Sequence, residues 1–148
     1  MSTWVGARAI GSGPGRRGRA AVVGVRELSR EGLEGVEFSV RQVTGMPGAL
    51  VVDVAGEVDS SSAEQFRERL VSLIGGDTKH LIVNLADLTY INSSGLGALV
   101  AGCKRVRALD GTLKVCGVRR SIAEVMQLIR LDKIIEVHDT EEQALAAL

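Results

Sequence analysis

The amino-acid sequence predicts a single α/β domain with a mixed, mostly parallel β-sheet and helices packed on it. Short apolar runs rich in β-branched residues take turns along the chain with segments whose apolar residues recur every three to four positions. Strands that are joined through helices pair in parallel by right-handed crossovers. The length of 148 residues and the hydrophobic fraction of 45% suit one globular domain.

The composition changes near residue 35. Residues 1–35 carry six basic and three acidic side chains and eight of the 18 glycines, whereas residues 36–148 carry the other 12 basic and 15 acidic side chains. A segment of the first kind cannot bury enough apolar surface to offset the entropy lost on ordering. We therefore predict a flexible, disordered leader over residues 1–35 and a folded domain over residues 36–148. An arginine arm for nucleic acid or anionic lipid is the alternative for the leader.

The domain begins with a predicted hairpin and a helix. Residues 36–40 alternate with period two, a Pro-Gly pair marks a turn, and residues 50–55 form the second strand. A capping box of Ser61 and Glu64 starts the first helix, which a Gly-Gly pair ends.

A predicted central strand and a second helix follow. Residues 80–85 are mostly apolar and β-rich, which is typical of a strand covered on both faces. After a Ser-Ser-Gly turn, residues 96–106 carry an apolar stripe at helical spacing, and residues 112–116 form another strand.

The C-terminal third supplies two more helices and a short strand. Ser121 and Glu124 form a capping box for the third helix, residues 134–137 form the last strand, and Asp139 with Glu142 caps the terminal helix. The residues of the third helix expected to face the core are Ile122, Val125, Met126 and Ile129. The predicted order is β-β-α-β-α-β-α-β-α.

The composition also excludes several classes of function. The formal net charge is zero and aromatic residues make up 3%, which argues against direct binding of nucleic acid. No apolar run approaches the ~18 residues of a membrane span. Cys103 and Cys116 lie in apolar stretches and predict buried, reduced thiols, while His80 and His138 have no zinc-site spacing. We expect a cytoplasmic protein with no cofactor and no metal.

Residues 88–97 are the most informative segment. They join the C-terminal end of the central strand region to the start of the second helix, the edge where ligands bind in open α/β sheets. Ser93 and Ser94 lie there beside helix N–H groups, which favour an added phosphate. A simple role of either serine as the N-cap of the helix stays open.

Three enzymatic interpretations fit the sequence poorly. A nucleophile elbow centred on Ser93 needs glycine where Ile91 stands. A hydrolase built on Ser93 and His138 has no evident acid partner. A dinucleotide fingerprint needs glycine where Val100 stands, and a P-loop lysine is missing. We expect no catalysis by this chain, and a nucleotide or small-molecule binder is the weakest alternative.

The motifs of the folded part resemble a known family. The sequence N-S-S-G-L-G at residues 92–97 follows an apolar strand and an L-x-x-L-x-Y-I pattern. Further stretches agree in order and spacing, namely residues 56–59, 83–88, 111–116, 131–135 and 142–145. Over about residues 36–148 the chain resembles STAS domains, in particular those of bacterial anti-sigma factor antagonists.

The resemblance implies partner switching. In that family the unmodified antagonist binds an anti-sigma factor and frees a sigma factor for transcription. The anti-sigma factor is also an ATP-dependent serine kinase that phosphorylates the first serine of the motif, and a serine phosphatase restores the binding form. Carried onto this chain, Ser93 is the phosphoacceptor and Ser94 its cap or hydrogen-bonding neighbour. Close family members have Asp where this chain has Asn92, which leaves an unphosphorylated STAS scaffold of a stressosome-like or lipid-transport complex as the alternative.

The partner is expected to dock on the second helix and the adjacent sheet edge. Opposite its buried stripe, this helix is predicted to expose a row of small side chains with one cation, namely Ser94, Ala98, Ala101, Arg105 and Ala108. The alternative is that alanine serves there only as a good helix former. The expected partner-binding residues are Asn92, Ser94, Gly95, Gly97, Ala98, Ala101, Arg105, Gly56, Glu57, Asp59 and Ser60. For the last four, a strand-ending turn and helix cap is an equal alternative. We expect a monomer or weak dimer.

Overall fold

A computed structural model describes residues 25–33 and 35–148 of the protein. In this part of the chain six strands form one sheet whose spatial order follows the sequence. The strands are β1 (Val25–Leu33), β2 (Val36–Val43), β3 (Ala49–Val58), β4 (His80–Ile91), β5 (Thr112–Cys116) and β6 (Glu136–His138). β1 to β3 pair antiparallel in succession, and β3 to β6 pair in parallel. The predicted mixed sheet is confirmed.

Helices cover both faces of this sheet. They are α1 (Ala63–Ser72), α2 (Ser93–Ala108), α3 (Arg120–Leu128) and α4 (Glu141–Ala146), with a 3₁₀ turn at Leu131–Lys133. α1, α2 and α3 pack on one face, where Leu99 belongs to the larger apolar cluster. α4 packs on the other face, where Leu145 belongs to a smaller cluster. Val51 and Val52 of β3 point into different clusters, as the alternation of strand side chains requires.

The sheet begins at Val25, earlier than the sequence predicts. Residues 25–33, which were assigned to the leader, form β1 and pair with β2 from Val25 opposite Val43 to Leu33 opposite Val36. Pairing uses backbone groups, so a segment rich in charge can still add a strand at the edge of a sheet. The observed order in the described residues therefore has one more strand at its start. The rest of the predicted leader, residues 1–24 and 34, lies outside the described residues.

Two predicted helix starts on the C-terminal side are wrong in detail. α3 begins after Arg119, and no side chain caps it. α4 is capped by Thr140 and not by Asp139, because the Thr140 hydroxyl accepts a hydrogen bond from the Gln143 N–H at 3.1 Å. The Gln143 side chain in turn accepts from the Asp139 N–H at 3.1 Å. The cap therefore lies one residue beyond the predicted one, and the returning bond of Gln143 goes to the residue before the N-cap and not to the N-cap itself.

The predicted core contacts hold only in part for the C-terminal third. Ile122 and Met126 of α3 are buried as expected, whereas Val125 and Ile129 are 44% and 52% exposed. The last strand is also displaced from residues 134–137 to β6, because the 3₁₀ turn occupies the residues before it. Cys103 and Cys116 are both buried, as predicted, and they do not form a disulfide bond with each other.

A buried polar network holds α4 on the sheet, and no local pattern in the sequence predicts it. The Arg41 guanidinium donates to both carboxylate oxygens of Asp53 at 2.6 and 2.8 Å and to Glu141 Oε1 at 2.5 Å. Asn84 Nδ2 donates to the same oxygen of Glu141 at 2.8 Å. Burial alone would lower the pKa of Arg41, but the charges of Asp53 and Glu141 outweigh it and raise that pKa. The Arg41 guanidinium therefore stays charged, and the network connects β2, β3, β4 and α4.

Candidate functional site

The start of α2 lies at the end of an unusually long strand. β4 pairs with β5 only as far as Asn84, opposite Cys116, but it pairs with β3 as far as Ile91, opposite Val58. Its last seven residues, 85–91, therefore have a paired neighbour in β3 only among the described residues. This overhang carries the segment predicted to be functional to one edge of the sheet, with Tyr90 half exposed on it.

Asn92 caps α2, and neither Ser93 nor Ser94 does. Asn92 has extended backbone, and its Oδ1 accepts a hydrogen bond from the Gly95 N–H at 2.8 Å. Its own N–H donates to the Val58 carbonyl at 2.9 Å. One asparagine thus satisfies a helix N–H and connects the helix start to the end of β3. The open alternative that a serine serves as the N-cap is wrong.

Ser93 and Ser94 make no structural hydrogen bonds in the described part of the chain. Ser93 and Ser94 are the first two residues of α2, and both are exposed. Within the described part of the chain neither hydroxyl makes a hydrogen bond, and neither backbone N–H has an acceptor. An exposed hydroxyl therefore stands beside two free N–H groups at the positive end of the helix macrodipole, a place that favours a negative charge.

Gly95 and Gly97 have different surroundings. A Cβ on Gly95 would lie 2.6 Å from Ile91 Cγ1 and 2.7 Å from Val58 Cγ1, so glycine lets the first turn of α2 sit against the ends of β3 and β4. A Cβ on Gly97 would meet nothing within 4 Å, and Gly97 is exposed. Close packing therefore requires glycine at position 95. At position 97 glycine only leaves the exposed surface of the helix without a protruding side chain.

The predicted row on α2 is corrected at Ala98. Ala98 is fully buried, because α1 packs along this side of α2. One turn further, a Cβ on Gly102 would approach Leu70 of α1 to 3.3 Å, which shows how close the two helices lie. Arg105 is exposed, but its Nε donates to the Ile74 carbonyl at 3.0 Å, near the end of α1 and away from Ser93. Ala101 is half buried.

The last residues of β3 lie at the same edge as the start of α2. Gly56 has a positive φ of 102°, and a Cβ there would lie 2.2 Å from the Gly35 carbonyl oxygen. The Glu57 N–H donates to that oxygen at 2.9 Å, and the Thr89 hydroxyl donates to the Gly56 carbonyl at 3.1 Å. The close approach of two backbones explains this glycine without any partner.

Asp59 organises the beginning of α1. Its carboxylate accepts from the Ser61 hydroxyl at 2.7 Å and the Ser61 N–H at 2.9 Å, and these bonds lower the pKa of Asp59. The N-cap of α1 is Ser62, whose side chain makes no cap bond, so the predicted capping box of Ser61 and Glu64 does not form. Glu57 and Ser60 are exposed beside this turn. The edge therefore presents the carboxylates of Glu57 and Asp59 near the start of α2.

Most of the predicted site residues are thus brought together. Residues 56–60, which comprise the end of β3 and the turn after it, meet the start of α2 through Val58. The Val58 carbonyl accepts from the Asn92 N–H, and the Val58 side chain fills the space beside Gly95. Ala98 and Arg105 are the exceptions. In the described part of the chain, no cluster of three or more His, Cys, Asp or Glu side chains could hold a metal ion. No helix there is long and apolar enough to span a membrane.

A family model matches most of the described part of the chain. The STAS domain family model matches residues 40–144, which include every strand from the second half of β2 onward. The chain belongs to the STAS domain family.

Named relatives agree with this assignment. The chain is 28% identical over 102 residues to an anti-sigma F factor antagonist of Paenibacillus polymyxa, with 68% of this chain and 87% of the relative covered. It is 33% identical over 93 residues to an anti-sigma-B factor antagonist of Bacillus subtilis, with 62% and 83% covered.

Solved structures agree as well. The structure of the anti-sigma factor antagonist SpoIIAA in its unphosphorylated form superimposes with a TM-score of 0.59 at 25% identity, covering 74% of this chain and 96% of SpoIIAA. An anti-sigma factor antagonist from Mycobacterium paratuberculosis shares the fold with a TM-score of 0.66 at 23% identity, covering 76% and 92%.

Proposed function

We propose that this chain is an anti-sigma factor antagonist that works by partner switching in the bacterial cytoplasm. In its unphosphorylated form it binds an anti-sigma factor that is also a serine kinase, and a sigma factor is thereby freed. Phosphorylation of Ser93 switches this binding off, and a serine phosphatase restores it. The names of the relatives and the STAS fold support the first part of the proposal.

The geometry at the start of α2 carries the proposal for Ser93. A serine that caps its helix could be modified only by breaking the cap, but here the cap belongs to Asn92. The Ser93 hydroxyl is exposed and makes no bond in the described residues, so a kinase could modify it without unfolding the helix. The added phosphate would be stabilised by the free N–H groups of Ser93 and Ser94.

The same geometry explains how a phosphate could weaken binding. Phosphorylation adds a charge of roughly −1.5 to −2 at pH 7. A partner that covers Ser93 must then remove solvent from that charge, beside the carboxylates of Glu57 and Asp59. Coupling of about 1–3 kcal/mol between phosphate and partner changes affinity about 5–150-fold, which is enough for a switch.

The proposed docking surface combines the exposed side of α2 with the turn after β3. Asn92, Ser94, Gly97 and Ala101 form the accessible part of the helix, where short side chains allow a close approach. Gly56, Glu57, Asp59 and Ser60 extend this surface at the sheet edge. Gly95 supports the surface from beneath, Ala98 is not available to a partner, and Arg105 lies toward the far end of α2.

A kinase assay tests this proposal. The protein is incubated with ATP and the ATP-binding anti-sigma factor encoded in the same genome, and the modified residue is mapped by mass spectrometry. We expect one phosphate on wild type and on Ser94→Ala, and none on Ser93→Ala. Phosphate on Ser94 of the wild type would contradict the assignment of Ser93.

A binding assay separates the scaffold alternative. If the protein forms a stable complex with partners that are not kinases, and Ser93→Ala and Ser93→Asp leave this complex unchanged, the partner-switching proposal is wrong.

A further inference from the structure

One face of the sheet carries a group of acidic side chains at the end where α2 begins. Glu37 of β2 lies opposite Ala55 of β3, and Asp87 of β4 lies on the other side of Ala55. One pair further along, Glu57 of β3 lies opposite Tyr90 of β4. Residues that are paired across neighbouring strands point to the same face of a sheet. We call Glu37, Glu57, Asp87 and Tyr90 the acidic patch.

The acidic patch lies on the face opposite to α1, α2 and α3. Phe38, Val54 and Val58 belong to the apolar cluster under those helices, so the residues next to them along β2 and β3 point the other way. On that other face α4 covers the middle of the sheet, where Glu141 contacts Asn84. All four side chains of the patch are exposed, so no described element covers this end of the face.

The surroundings of the patch suit an arginine side chain. The position opposite Glu37 in β1 is Gly32, and a Cβ there would meet nothing within 4 Å. The patch thus combines three carboxylates and a half-exposed tyrosine ring with open space beside Glu37. The planar guanidinium of arginine binds carboxylates through paired N–H groups and also stacks on aromatic rings.

Residues 1–24 have the charge that this patch attracts. They contain four arginines, at positions 8, 16, 17 and 19, and no acidic residue, whereas residues 25–148 contain 14 basic and 18 acidic residues. The two parts of the chain therefore carry opposite formal charges of +4 and −4. A second copy docked symmetrically on the patch would instead bring the same carboxylates against each other.

The length of this segment also fits the distance that it must cover. β1 starts at Val25, and Gly32, opposite Glu37, lies seven residues further along the strand, or about 24 Å. Arg16 and Arg17 precede Val25 by nine and eight residues. An extended chain of that length spans about 26–32 Å, so a segment that turns back before Val25 can bring both guanidinium groups to the patch.

We propose that residues 1–24 dock on the acidic patch through Arg16 and Arg17. Glu57 belongs both to this patch and to the surface proposed for the anti-sigma factor, so the docked segment competes with that partner and acts as an autoinhibitory contact. The docking stands on the charge and geometry of this chain alone, whereas the competition rests on the proposed function.

Zero-length cross-linking of the full chain tests the docking. Arg16→Lys combined with Arg17→Lys keeps the charge and places amines in a segment that has no lysine of its own. A carbodiimide then joins an amine to a carboxylate that it touches, with loss of water to the reagent, and mass spectrometry maps the link. We expect Glu37, Glu57 and Asp87 together to take at least about five times as much link as the exposed Glu64 and Glu68 of α1, on the opposite face.

Salt and a second set of variants test whether charge holds the segment. The preference should vanish in 1 M salt, where the Debye length is about 3 Å. In the same lysine background, Glu37→Gln with Glu57→Gln should reduce the link to the remaining Asp87 at least about twofold. The matched control, Glu64→Gln with Glu68→Gln, removes as much charge from α1 and should leave that link unchanged.

Calorimetry with the anti-sigma factor kinase, without ATP, tests the competition. If residues 1–24 occupy the patch half of the time or more, Arg16→Gln with Arg17→Gln should lower Kd at least about twofold. Arg67→Gln, an exposed arginine on α1, is the control and should leave Kd unchanged.

Each alternative has its own result. Equal linkage of the patch and the α1 carboxylates overturns the docking. Links that form only between isotope-labelled and unlabelled chains overturn it in favour of a second copy, and links from the patch to lysines of the kinase alone overturn it in favour of the partner. An unchanged Kd in Arg16→Gln with Arg17→Gln refutes the competition and leaves the docking standing. No binding of the wild type to the kinase refutes the proposed function and the competition, while the cross-links still decide the docking.

Discussion

Replacing Asn92 by alanine should destabilise the protein, while replacing the adjacent Ser93 should not. Asn92→Ala removes the 2.8 Å bond that its side chain accepts from the Gly95 N–H. Loss of an N-cap of this kind costs about 1 kcal/mol, within a range of roughly 0.5–2 kcal/mol. Ser93→Ala removes a hydroxyl that makes no bond in the described residues, so the free energy of unfolding should stay within about 0.5 kcal/mol of wild type.

Asn92→Asp separates the cap from the charge. Aspartate keeps the accepting oxygen and adds a negative charge at the start of α2, where it is worth about 0.3–1 kcal/mol to the unmodified helix. Beside a phosphate on Ser93 the same charge is repulsive, so Asn92→Asp should stabilise the unmodified protein and lose that advantage once Ser93 carries a phosphate.

Urea denaturation of the four proteins, wild type, Asn92→Ala, Asn92→Asp and Ser93→Ala, measures these differences with one common slope. For a domain of this size, 1 kcal/mol corresponds to a shift in Tm of about 2–4 °C, so thermal unfolding gives an independent reading. A loss of stability in Ser93→Ala equal to that in Asn92→Ala would refute the division of roles between the two residues.

Three further predictions concern the frame around the site. Gly56→Ala should cost at least about 1–3 kcal/mol in urea denaturation, because its φ is positive and its Cβ would collide with the Gly35 carbonyl. Arg41→Met leaves two carboxylates without their buried partner and should cost about 3–5 kcal/mol, seen as the largest drop in Tm of this set. Hydrogen bonds from Lys114 and, to a smaller extent, from His138 lower the pKa of Glu136. The contribution of Glu136 to stability is therefore present above its unfolded pKa of about 4.5 and is lost as the pH falls through the lower folded pKa. Lys114→Met should reduce that loss of stability in acid, measured as a series of denaturation curves at different pH values.

Periodicity and turn residues were sufficient for most of the elements. β5 has the predicted bounds of residues 112–116, because a short β-rich run between a glycine turn and a Gly-Val-Arg loop leaves little freedom. The sequence does not predict β1, because this strand is stabilised by pairing with β2, and the composition of its own segment does not reveal that contact. β4 was predicted too short, since the polar residues Asp87, Thr89 and Tyr90 interrupt its apolar pattern where only β3 flanks it.

Side-chain burial was harder to predict than the elements. Apolar residues at helical spacing on α3 were expected in the core, but a helix at the side of the sheet buries a narrow stripe and leaves Val125 and Ile129 outside it. Conversely, Ala98 was expected outside and is buried, because the position of α1 against α2 depends on tertiary packing. Local spacing defines the faces of a helix, and only its neighbours decide how many of them are covered.

The sequence predicts where the candidate segments lie relative to each other better than it predicts their contacts. The segment of residues 92–97 and the turn of residues 56–60 do meet at one sheet edge, as parallel strands require. The choice of cap among Asn92, Ser93 and Ser94 could not be made from residue types, since all three are good caps and only backbone geometry selects one. The network around Arg41 had no local signal, because its members lie on four separate elements.

The most direct test of partner switching is to measure the affinity of the protein for the anti-sigma factor kinase before and after phosphorylation of Ser93. Isothermal titration calorimetry without ATP compares the unmodified protein with protein that mass spectrometry shows to carry one phosphate on Ser93. We expect the phosphate to raise Kd about 5–150-fold, and phosphatase treatment to restore the original value. Equal affinity of the two forms, or tighter binding of the phosphorylated one, would contradict it.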